Sequence, residues 1–158
     1  MLDQTHMSKS FMDSPQKAIP LMAKVLGYAG LIPFVGLTAL LQIVDAVHQP
    51  SVVFALQAYS ATILSFLGAI HWGLTMRDEQ PSPGMLLWGV APSLLAWASL
   101  LVPPHIGLWS MATALWACYA VDFKTYVRLG LTHWLPMRLA LTAVASMCCT
   151  WAGVWVYL

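Results

Sequence analysis

Ionisable side chains are sparse in this sequence, and the informative ones fall where long apolar segments begin or end. His71, Arg77 and Asp78 stand together in "AIHWGLTMRD", Asp122 closes a later apolar run, and Arg138 opens the last one. A guanidinium in such a setting supplies a fixed cation for an anionic or carbonyl-bearing headgroup. An imidazole beside it can donate or accept a proton near neutral pH. Ionisable residues at the edge of apolar helices tend to face neighbouring helices and to mark sites. His71, Trp72, Arg77, Asp78, Asp122 and Arg138 are therefore the candidate ligand-binding residues. With Asp122 as its orienter, His71 could also serve as a general base, which requires about 2.6–3.2 Å between heavy atoms. The competing structural reading treats His71 and Trp72 as an interfacial pair, because amphipathic rings collect at headgroup level.

Established catalytic patterns are missing from the sequence. It has no His-x-x-x-His pair, no Gly-x-Ser-x-Gly elbow and no phosphate-cradling glycine loop. Cys118, Cys148 and Cys149 lie inside apolar runs without metal-site or disulfide spacing, and read as small buried hydrophobes. No catalytic residue, metal or cofactor is expected on these grounds. A net charge of +1, with seven basic residues spread along the chain, leaves no basic stripe for nucleic acid.

The elements that position these residues follow from composition. The chain is 59% hydrophobic and 8% charged, against roughly 25% charged in soluble domains. A helix needs about 20 apolar residues to cross the hydrocarbon. Five segments meet or approach that length, at residues 25–44, 52–76, 85–102, 106–121 and 137–158. The prediction is an all-α integral membrane bundle of five transmembrane helices, preceded by a polar segment at residues 1–24. Pro103 and Pro104 mark a tight turn between spans three and four, and a re-entrant pair there is the alternative. Pro33 and Pro92 lie inside spans and should kink them, while Asp45 and His48 should be solvated.

Lys9, Lys17, Lys24, Arg77, Lys124, Arg128 and Arg138 all fall on one side of a five-span arrangement. The positive-inside rule then places the N-terminus inside and the C-terminus outside. The expected location is a bacterial cytoplasmic (inner) membrane. The polar first twenty residues, with Asp3 and Asp13, do not read as a cleavable leader, so the first apolar segment is expected to remain as a span. On span two, Gln57, Leu64, His71 and Asp78 share a face with Ala61, Gly68 and Thr75. Small and polar residues of this kind belong against other helices.

Several segments together resemble the transmembrane protein 69-like family, whose function is unknown and whose members are bacterial and mitochondrial integral membrane proteins. They are "LGYAGLIPF", "YSATILSFLGAIHWG", "PSLLAW" and residues 122–142. The resemblance implies membrane placement and singles out His71, Trp72, Asp122 and Arg138. The family pattern has a Trp-Tyr pair before its Arg-Leu step, whereas here Leu135 follows Trp134, so no tyrosine role carries over.

Three functions compete at this stage. The leading one is a non-enzymatic binding or accessory protein with a polar site at the inner membrane face, taking a lipid, a quinone-like ligand or a membrane protein partner. The eight tryptophans favour a second, a receptor or transporter for a flat porphyrin-like ligand, similar in size to the tryptophan-rich sensory protein family. That family's Trp-Tyr and Lys-Pro loop pattern is missing here. The third is a lipid-headgroup enzyme built on His71 and Asp122.

Overall fold

The computed structural model describes residues 18–76 and 83–158. These residues fold entirely into helices and connecting turns. The first apolar segment is two helices, α1 (Leu21–Ala29) and α2 (Ile32–Ile43). Pro33 sits in the first turn of α2, where its missing N–H costs nothing, and Gly30 caps α1. The expected kink is thus a break, and the Tyr59 hydroxyl donates to the Gly30 carbonyl at 2.8 Å across it.

Helix α3 (Gln49–Thr75) is followed by α4 (Pro83–Ser99) and α5 (Pro104–Arg128). A short 3-10 turn (Thr132–Trp134) then leads into α6 (Leu135–Tyr157). Four segments are long and apolar enough to cross a bilayer: Leu21–Ile43, Gln49–Thr75, Pro104–Arg128 and Thr132–Tyr157. Helix α4 has 17 residues, hence about 26 Å at 1.5 Å per residue, and it lies back along α3 with Pro92 buried inside it. Pro103, in an extended conformation, separates α4 from α5, so these are two distinct helices.

The outward surface is apolar. Phe54, Phe66, Trp97, Met147 and Trp151 are all more than half exposed, a surface suited to hydrocarbon rather than water. The core is a seam of Leu56, Leu64, Leu108, Met111, Leu115 and Cys149, each essentially inaccessible. Along α3, Val53, Gln57, Ser60, Leu64, Gly68, His71 and Thr75 are among the buried residues, and their spacing of three or four turns the small and polar face inward.

Two backbone features set the geometry of the site. At Gly68 the helices α3 and α4 touch: a Cβ there would collide with the Gly89 carbonyl. At the end of α5, Gly130 adopts φ 68°, and the Leu131 N–H reaches the Tyr126 carbonyl at 2.8 Å. This left-handed glycine closure ends α5 sharply and returns α6 against it.

Asp122 is not at the end of its helix, as the apolar run to residue 121 suggests. Helix α5 continues to Arg128, leaving Asp122 well inside it. Hydropathy marks where the apolar residues stop, whereas the backbone hydrogen bonds of a helix continue until a terminator such as Gly130 appears.

Candidate functional site

His71 projects from the last turns of α3, Asp122 from within α5, and Arg138 from the first turn of α6. The three meet through one carboxylate. His71 Nε2 lies 2.8 Å from Asp122 Oδ1, and Arg138 Nε donates to Asp122 Oδ2 at 2.8 Å. Arg138 Nη2 also donates to Oδ2. His71 and Asp122 are each 1% exposed and Arg138 is 11% exposed.

An ionised carboxylate only accepts hydrogen bonds, so the His71 proton toward it resides on Nε2. In the neutral ring Nδ1 is then a bare acceptor, and it is buried without a hydrogen-bond partner. The Asp122–Arg138 pair cancels its own charge, which is what permits both groups to leave water.

Arg138 gains nothing from its place in the helix. A cation in the first turn faces the positive end of the helix dipole, and that turn of α6 carries no acid of its own. The carboxylate that compensates comes from another helix. The position of Arg138 is thus set by tertiary contacts rather than by local helix electrostatics.

Arg138 also borders an apolar cleft walled by α1, α2, α3, α5 and α6. An inner cavity of about 160 Å³ is lined by Leu67, Leu115, Arg138, Leu141 and Thr142. A neighbouring cavity of about 320 Å³ shares Leu67, Arg138 and Leu141 and extends toward Ile70, Tyr126 and Trp134. Leu26 and Phe66 form the lip of both, and they are 67% and 63% exposed, so the cleft opens on the apolar perimeter.

The structure thus brings together His71, Asp122 and Arg138. Trp72 stands outside this cluster: its Nε1 donates to the Leu86 carbonyl at 2.9 Å and its ring covers Gly89 on α4. Arg77 and Asp78 lie outside the described residues. Sequence reasoning missed the cleft, and with it Leu141 and Thr142. A signal existed, because Arg138, Thr142 and Ser146 recur every four residues and share one face of α6. Among the described residues, no three His, Cys, Asp or Glu side chains gather to hold a metal ion.

Comparison with known proteins shows the family. The model of a family described as "Protein of unknown function (DUF3429)" matches residues 19–154. The chain belongs to the DUF3429 family. Its match spans all the described helices up to the last turn of α6, and so contains His71, Asp122 and Arg138. Among curated relatives, the DUF3429 chain is 41% identical over 101 residues to transmembrane protein 69 of Xenopus tropicalis, covering 62% of this chain and 38% of that protein. It is 33% identical over 93 residues to transmembrane protein 69 of Mus musculus, covering 57% and 36% respectively. The matched region therefore spans under two fifths of each of these relatives. No solved structure matches. With its spanning helices and these relatives, this DUF3429 member is a multi-pass membrane protein.

Proposed function

We propose that the protein is a membrane-embedded binding protein, taking a hydrocarbon-tailed molecule with a polar head, such as a lipid or a quinone-like compound, into the cleft beside Arg138. The observation that carries this reading is the position of one guanidinium. Arg138 is held on Asp122 through Nε and Nη2, and the same residue lines a cleft whose walls are apolar and whose lip opens on the apolar perimeter. Ligand sites commonly combine apolar walls with a few placed polar groups. In the orientation implied by the basic residues, the site lies toward the inner face of a bacterial cytoplasmic membrane. An accessory or assembly role toward a membrane protein partner is compatible with such a site.

A headgroup enzyme draws on the same 2.8 Å contact between His71 and Asp122, which satisfies the distance that a positioned base requires. However, Nδ1, the atom that would take the proton, is sealed from the surface, so binding is the better supported reading.

Leu141→Trp tests the proposal, because Leu141 borders both cavities and a larger ring fills them without touching the carboxylate. In native mass spectrometry of protein extracted in mild detergent, the wild type should carry a molecule of discrete mass. The variant should lose most of that occupancy, since a tenfold loss of affinity takes a half-filled site down to about one tenth filled. Bulk lipid alone in both samples would reject the reading.

A further inference from the structure

Resting on that binding reading, we propose that Thr142 is the second recognition group of the cleft, and that Thr142 and Arg138 together take a neutral carbonyl oxygen rather than an anion. The first argument comes from the hydroxyls. Serine and threonine within helices usually return their hydroxyl to the carbonyl four residues back. Ser60, Thr75 and Ser99 do so at 2.7 Å, Ser110 at 2.8 Å and Thr113 at 2.9 Å. Thr142 does not. Its Oγ1 has no hydrogen-bond partner although the residue is only 2% exposed, and it lines the inner cavity together with Arg138. A buried hydroxyl left unpaired is costly, and a ligand acceptor would satisfy it.

Spacing supports a joint role. Thr142 lies four residues after Arg138, hence about one turn along the same face of α6. The bonds to Asp122 use Arg138 Nε and Nη2, and neither uses the Nη1 amino group. A carbonyl oxygen has two lone pairs, one for a guanidinium N–H and one for a hydroxyl.

Charge decides between a carbonyl and an anion. Asp122 already neutralises Arg138. His71 Nδ1 is buried with no acceptor, so a second ring proton there would be an unpaired charged donor, and the ring with its single proton on Nε2 adds no charge. A phosphate or carboxylate would therefore bring an uncompensated negative charge between apolar walls, whereas a carbonyl brings lone pairs without net charge. Two sources share that chemistry: the ring of a quinone, and the ester of an acyl lipid.

The test titrates the full-length protein in mild detergent with decyl-benzoquinone, dioctanoylglycerol and dodecyl phosphate, read by native mass spectrometry. At least one neutral carbonyl probe should bind saturably, and more tightly than dodecyl phosphate. Whichever of the two binds identifies the source. Thr142→Val, close in shape, should weaken that binding roughly three- to tenfold, the worth of one hydrogen bond, and Thr142→Ser should restore it. Tightest binding by dodecyl phosphate, or an unchanged Thr142→Val, would overturn the carbonyl assignment while leaving the cleft as a binding site. Failure of the wild type to bind any of the three would instead sink the binding reading beneath it.

Discussion

Asp122→Asn is expected to destabilise the protein by about 3–5 kcal/mol, the cost of stranding one partner of a buried ion pair. Asparagine preserves shape and can still accept from His71, so the loss isolates the charge on Oδ2 that Arg138 requires. Chemical unfolding in mild detergent measures it, against two comparisons. His71→Phe should cost less, about 1–3 kcal/mol, because Asp122 keeps its Arg138 partner and loses only one hydrogen-bond donor. Asp122→Asn combined with Arg138→Met should recover much of the single-variant loss, since no ion then remains buried. Equal losses in all three would mean that the carboxylate does not organise the cluster.

Gly68→Ala should be the next most damaging change, at about 1–3 kcal/mol, the usual penalty for overpacking. The added Cβ would meet the Gly89 backbone carbonyl, which cannot rotate aside as a side-chain tip can. Helices α3 and α4 would have to separate, and the ring of Trp72, seated on Gly89 just below, would lose its contact. Gly36→Ala provides the control with the opposite sign. Nothing lies within 4 Å of a Cβ at Gly36, so alanine's better helix propensity should leave stability unchanged or raise it by up to about 1 kcal/mol. Thermal unfolding of the two variants under one detergent condition separates them, and similar melting shifts would contradict the close approach of α3 and α4.

The helical membrane class was legible because long apolar runs with few charges have one structural solution in hydrocarbon. The principal polar groups were legible for the same reason: His71, Asp122 and Arg138 are conspicuous in apolar surroundings, and each costs too much to leave unpaired. Their meeting at one carboxylate was not legible. It depends on the sharp turn at Gly130, which sets α6 against α5, and on the continuation of α5 past Asp122. Trp72 shows the limit of adjacency. It neighbours His71 in sequence, but successive helical residues point about 100° apart, and so it faces α4 while His71 faces α5. Pro33 announced an irregularity in the first segment but not its form. A proline in the first turn of a new helix and one in the middle of a kinked helix look alike until the Tyr59 hydrogen bond to Gly30 is seen. The cleft was the least legible feature, since its walls are ordinary leucines drawn from four separate helices.

Photo-crosslinking in intact membranes tests the central claim, a discrete ligand in the cleft beside Arg138, most directly. A benzoyl-phenylalanine placed at position 141 faces the cleft, and one at position 94 replaces Leu94, which is 59% exposed on the outer surface of α4. After irradiation, mass analysis of the adducts should show one predominant molecule at position 141 and mixed bulk lipid at position 94. The same mixture of lipids at both positions would contradict a dedicated site and leave the cleft as a lipid-filled gap between helices.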